Sequence, residues 1–165
     1  MNINTYWKRV LSALGDTTGA KNEDDFQKKY IAALAASYKT ETVSAANVIT
    51  ADETGKTFFL ALAGGFASTL PAPAAGLRYK FIVSVAPTTA YTIATTSSAN
   101  IIKGGVNELE VDTGDDGPYS AVGDLVSFVA NVAVVGDWVE FISDGTSWFI
   151  TGQTNADGGV TIGST

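Results

Sequence analysis

Apolar and polar positions follow two different rhythms along this chain. From Ile3 they fall at Ile3, Trp7, Val10, Leu11 and Leu14, the stripe of an amphipathic helix, with Gly15 as a stop. After a polar loop, Asn22 offers an N-cap, and Glu23, Asp24 and Asp25 place negative charge at the positive end of a helix dipole. Phe26, Tyr30, Leu34 and Tyr38 then recur on one face. These spacings predict a two-helix hairpin over residues 1–40. Two helices this short need a surface to lie on, because isolated helices below about 12–15 residues rarely persist in water.

From about Thr42 the helical period gives way to Val, Ile, Thr, Phe and Tyr, punctuated by Gly, Asn, Asp and Pro. Strands are predicted at Asn47–Thr50, Lys56–Leu62, Ala67–Leu70, Leu77–Val85, Ala90–Thr95, Asn100–Lys103, Asn107–Val111, Leu125–Val134, Asp137–Ser143 and Ser147–Gly152. Tyr79, Phe81, Val83 and Val85 alternate with Lys80, Ile82 and Ser84, as in a strand with one buried face. Asp144-Gly145 suits a type I′ turn, which would pair Phe141 with Trp148 and Val139 with Ile150. The opposite face would carry Trp138, Glu140, Ile142, Ser147, Phe149 and Thr151. That set is too apolar for solvent, so a second layer or a neighbouring subunit should cover it, with Trp138, Ile142 and Phe149 as the subunit contacts. The fold expected is mainly β: an antiparallel sandwich or barrel-like domain over residues 41–154, preceded by the helical hairpin. Residues 155–165 read as a Gly-rich tail, flexible or ordered as a strand against a partner.

Composition narrows the chemistry. The 165 residues include no His and no Cys, which removes imidazole bases, thiolate nucleophiles, disulfides and Cys-based metal sites. Asp112-Thr113-Gly114-Asp115-Asp116-Gly117 has the look of an oxygen-ligand loop, but Gly114 and Gly123 stand where a calcium loop needs ligands. Glu108 and Glu110 share a strand face, as surface carboxylates do for solubility; a glycan depolymerase built on two such acids is the enzymatic reading to be excluded. Gly64-Gly65 has neither the helix nor the Lys of a phosphate loop. No enzyme activity, cofactor or metal is expected.

Charge divides the chain further. The net charge of −7 gathers on the β-rich part: its bases are Lys56, Arg78, Lys80 and Lys103, whereas the helical segment carries Lys8, Arg9, Lys21, Lys28, Lys29 and Lys39. An acidic body without a basic stripe repels phosphate, so no nucleic-acid partner is expected. The uncharged stretch 57–77 holds Gly64, Gly65, Pro71, Pro73 and Gly76 and reads as two short strands joined by a turn, so no membrane partner is expected either. Asn2, Asn4, Lys8 and Arg9 interrupt the apolar run that a secretory signal requires, so no export signal is expected.

Thr69-Leu70-Pro71-Ala72, then Gly76-Leu77-Arg78-Tyr79-Lys80-Phe81-Ile82-Val83, and finally Gly136-Asp137-Trp138 through Asp144-Gly145 to Trp148 and Gly152 resemble a β module recurrent in tailed-bacteriophage virion proteins. The resemblance covers residues 50–152. It implies a homotrimeric structural domain on a virion surface, of the capsid-decoration, head-fibre or tail-fibre kind, with no catalytic residues to carry over. Residues 1–40 fall outside it. Trp7, Leu11, Leu14, Phe26, Tyr30 and Leu34 are therefore the candidate anchor to a capsid or other virion protein. The leading expectation is a decoration protein or short head fibre assembled in the host cytoplasm. The alternative is a receptor-binding domain that stacks a host glycan on Tyr119, Trp138 or Trp148.

Overall fold

A computed structural model describes residues 24, 25, 27, 28, 31, 32, 39–110 and 119–164. The chain divides into two compact units, Met1–Lys39 and Thr40–Thr165. In the first, Asp24, Asp25, Gln27, Lys28, Ile31 and Ala32 are helical, and Lys28 Nζ meets Asp24 Oδ2 at 2.6 Å one turn away. The expected first helix and the anchor residues Trp7, Leu11, Leu14, Phe26, Tyr30 and Leu34 lie outside the described residues.

The second unit is built from strands β1 (Thr40–Val43), β2 (Asn47–Val48), β3 (Thr57–Leu60), β4 (Ala67–Thr69), β5 (Arg78–Val83), β6 (Tyr91–Ala94), β7 (Ile102–Glu108), β8 (Tyr119–Gly123), β9 (Leu125–Phe128), β10 (Trp138–Ser143), β11 (Trp148–Thr154) and β12 (Val160–Gly163). They form two mixed sheets, one seven-stranded in the order β1-β3-β5-β10-β11-β7-β8 and one five-stranded in the order β12-β9-β6-β4-β2. The fold is mainly β and sandwich-like. The expected antiparallel pairing is corrected, because β1–β3, β3–β5, β2–β4, β4–β6 and β7–β11 are parallel.

The reason lies in the path of the chain. From β1 to β6 successive strands alternate between the two sheets, so each strand returns in the direction of the one two before it. Thr40 comes to stand beside Thr57 and Thr57 beside Lys80, while Asn47 stands beside Ser68 and Ser68 beside Ile93. These residues form a short coil of three rungs in the manner of a β-helix. The remaining strands close its third rung: β10 pairs antiparallel with β5, and β9 antiparallel with β6. Parallel strands need no hairpin between them, and the connections here cross to the other sheet and back.

One corner joins the sheets directly. Asp124 alone separates β8 from β9, and its backbone N–H donates to the Gly163 carbonyl at 2.9 Å. A side chain at Gly123 would run into that same carbonyl. Here β12 pairs with β9 of its own chain, Val160 opposite Phe128 and Ile162 opposite Val126. Residues 160–163 are thus neither a flexible tail nor a strand waiting for a partner. Val160 and Ile162 are both buried, and their removal from water rewards the pairing.

Alternation places Phe58, Tyr79, Phe81, Val139, Phe141 and Trp148 in the core between the sheets. Their rings form a continuous row: Phe58 stacks on Phe81 at 5.2 Å, Phe81 meets Phe141 edge-on at 5.7 Å, and Trp148 lies 5.7 Å from Tyr79. The β10–β11 register differs from the expected one by two residues: Phe141 stands opposite Ile150, Val139 opposite Gly152 and Ser143 opposite Trp148. A shift of two preserves the faces, since side chains alternate with period two. Its cause is Asp144, whose Oδ1 accepts from the backbone N–H groups of Thr146 and Ser147, both at 2.8 Å, and so holds a four-residue loop where a two-residue turn was expected.

Other boundaries moved for similar local reasons. The predicted strand through Val134 ends at Phe128, because residues beyond it turn back with Asn131 at φ 61° and its N–H on the Pro87 carbonyl. The two strands expected across 100–111 are one, β7, continued through Gly104 at φ 128°. There a side chain would meet the backbone of Ile150, which is why the position tolerates only glycine.

Candidate interaction face

The outward side of the seven-stranded sheet is the most unusual surface of the described residues. One cross-strand row reads Arg78–Ile142–Phe149–Lys103–Val122, and a second reads Phe59–Ile82–Trp138–Gln153. Ile142 is 37% exposed, Phe149 45% and Val122 59%, so a strip of apolar surface lies open on a rigid sheet. Trp138, Ile142 and Phe149 therefore share one face, whose strands are held by core packing on the other side.

The cations of the body gather on the same face. Lys56 is engaged elsewhere, bridging Glu41 at 2.8 Å and Glu53 at 2.7 Å. These two hydrogen bonds raise the Lys56 pKa. Burial pushes the Glu53 carboxyl up, but hydrogen bonds from Lys56 and from the Thr50 N–H and hydroxyl outweigh it and leave the pKa lowered. The other three cations, Arg78, Lys80 and Lys103, all occupy outward positions of the seven-stranded sheet. Lys80 Nζ lies 4.0 Å from the centre of the Trp138 ring, and Lys103 Nζ lies 6.0 Å from that of Phe149. Such contacts contribute about 0.5–1 kcal/mol at exposed sites. Arg78 Nε approaches Glu140 Oε1 at 3.4 Å. Lys103 donates to Ser147 Oγ at 3.0 Å and adds to the field that lowers the Asp144 pKa, behind the larger effect of the Ser147 and Thr146 donors.

The remaining candidate residues have structural roles. Asp137 is 1% exposed, and its carboxylate accepts from Val134 N–H, Thr154 hydroxyl, Asn155 N–H and the Asn155 amide at 2.8–3.0 Å. The Gly-Asp-Trp triplet thus begins β10: Gly136 turns at φ 100°, Asp137 ties the strand to the β11–β12 loop, and Trp138 faces outward. Glu108 and Glu110 accept from the backbone N–H groups of Gly158 and Asp157, at 2.9 and 3.2 Å, on that same loop. Trp148 is fully buried, and its indole N–H has no side-chain or backbone acceptor, so it cannot offer a stacking surface to a sugar. Asp112–Gly117 and the side chain of Tyr119 lie outside the described residues.

Among the described residues no three His, Cys, Asp or Glu side chains gather as metal ligands would, and no helix is long and apolar enough to cross a membrane. The stretch 57–77 holds two strands, β3 and β4, in different sheets. Sequence reasoning singled out the apolar members of the outer face but not Arg78, Lys80 and Lys103. Their signal was the scarcity of bases in an acidic body, with two of them at alternate positions of one strand. Comparisons with protein families, with characterised proteins and with solved structures found no match for this chain.

Proposed function

We propose that this chain is a non-enzymatic structural protein of a tailed-phage virion, a capsid decoration protein or head fibre. On this reading its bodies associate as a homotrimer on the particle surface, and residues 1–40 attach them to the capsid or another virion protein. The observation that supports it most is the exposed Ile142–Phe149 strip on a well-packed sheet, since contiguous apolar surface on a rigid scaffold is characteristic of protein-binding faces. The resemblance of the quoted motifs to a β module of phage virion proteins supports it as well. Removing residues 1–39 should leave a folded β body that no longer binds phage particles, as read by co-sedimentation. Particles still decorated by the truncated chain would refute the attachment role.

A receptor-binding reading keeps one supporting observation, the pairing of Lys80 with Trp138 and Lys103 with Phe149 on an open face. Binding of the full chain to a host-surface glycan array, lost in Phe149→Ser, would favour it over decoration.

A further inference from the structure

The three cations of the outer face stand against Glu140 among them and Asp144 at their margin. Elsewhere the body is strongly acidic: no base besides Lys56 balances the carboxylates that remain. Two copies meeting face to face would oppose Arg78, Lys80 and Lys103 to themselves, which like-charge repulsion disfavours. A contact of this face with a different, acidic surface of a second copy meets no such penalty.

The far end of β7 supplies a surface of that kind. Leu109 is 51% exposed between Glu108 and Glu110, and exposed Asp157 lies beside them, its N–H on Glu110 Oε2 at 3.2 Å. Backbone N–H groups from the β11–β12 loop hold both glutamates, so the knuckle is preformed. It presents carboxylates around an apolar tip, and the outer face presents Arg78 and Lys103 around Ile142 and Phe149. The two lie on the same strand, Lys103 near its start and Glu108 at its end, so one copy cannot fold its own knuckle onto its own face. The rings beneath Lys80 and Lys103 already carry an ammonium group, which favours a protein occupant over a stacked sugar.

We infer that copies of this chain associate head to tail, the acidic Glu108-Leu109-Glu110 knuckle of one docking on the Arg78–Ile142–Phe149–Lys103 row of the next. Such a contact uses two different patches per copy, as closed rings of three or more require. It deepens the self-assembly part of the proposed function, and solution mass tests it independently of any particle.

The full chain is measured by light scattering after size exclusion at about 50 mM and about 0.5 M salt, where screening lengths differ severalfold. The expected result is an oligomer at low salt that weakens at high salt. Arg78→Glu with Lys103→Glu should weaken association roughly tenfold or more, as should Glu110→Lys with Asp157→Lys. All four changes in one chain should restore it. Circular dichroism checks that each variant folds; Phe149→Ser and Leu109→Ser, which change no charge, carry the same test should a reversed chain not fold. A monomer under every condition, association untouched by either reversal, or reversals that the combined variant does not rescue would each overturn the inference. So would a monomer that binds an acidic polysaccharide, such as heparin, through the same cations.

Discussion

The two faces of the seven-stranded sheet are made by the same strands, yet they follow different rules. Inward, β3, β5, β10 and β11 present Phe58, Tyr79, Phe81, Phe141 and Trp148, all uncharged and fully buried. Outward, the same strands present Phe59, Arg78, Lys80, Ile82, Trp138, Ile142 and Phe149, and with Lys103 of the neighbouring β7 the aromatic rings there stand among three cations. The inner face answers to packing, where one missing group leaves a void. The outer face answers to charge and exposure, where the same loss leaves water. The outer face carries large side chains that the core does not need, and the proposed self-association rests on them.

Substitutions can set these faces against each other. Phe81→Ala, which removes the ring between Phe58 and Phe141, should cost about 3–5 kcal/mol by transfer and cavity terms, read as a lowered urea midpoint. Asp137→Ala should follow at about 3 kcal/mol, because the Val134 N–H, the Asn155 N–H and amide and the buried Thr154 hydroxyl lose this buried carboxylate together. Gly104→Ala should cost about 1–3 kcal/mol by the same measurement, from its φ of 128° and the Ile150 backbone beside it. By contrast Phe149→Ser, on the outer face, should change stability by no more than about 1 kcal/mol while reducing self-association. A Phe149→Ser penalty equal to that of Phe81→Ala would erase the distinction between the faces.

The smallest effects concern pH, and their signs differ between the inner face and the β10–β11 loop at the sheet's margin. Burial, with help from Glu53 and Asp52, pushes the inward Tyr79 hydroxyl up to about 12. Its folded pKa is raised, so its contribution is complete below the ordinary value of 10.0 and is lost as pH climbs from there towards 12. Asp144 is the reverse: its folded pKa is lowered by the Ser147 and Thr146 donors, so its contribution is present above the ordinary value of 3.8 and fades as pH falls below it. Thermal melts across pH should show Tyr79→Phe flattening the alkaline limb and Asp144→Asn the acid limb, each leaving the other limb in place.

Much of this arrangement was legible in the residues. The alternation in Tyr79–Val83 assigned both faces of β5 correctly, and the aromatic pattern around Asp144-Gly145 placed Phe141 and Trp148 inside and Ile142 and Phe149 outside. The register itself was off by two, because nothing local distinguishes a two-residue turn from a loop in which Asp144 Oδ1 gathers three donors. β1 and β8 escaped notice, and β12 was read only as a tail or a strand ordered by a partner: Thr-Glu-Thr-Val and Val-Thr-Ile-Gly are short and half polar, and their pairing is decided by distant strands β3 and β9. The cations of the outer face were visible singly but not as a group, since Lys103 joins Arg78 only through two intervening strands.

By itself the sequence determined the class of the body, which side chains turn inward on β5, β10 and β11, and the absence of imidazole and thiol chemistry, because period-two alternation and composition are local properties. Only the tertiary structure decided that the first six strands coil between two sheets, that the last strand completes its own chain's smaller sheet, and that three scattered cations frame one apolar strip. Those outcomes depend on strands far apart in sequence meeting in a given order, and strand order leaves no periodic trace along the chain.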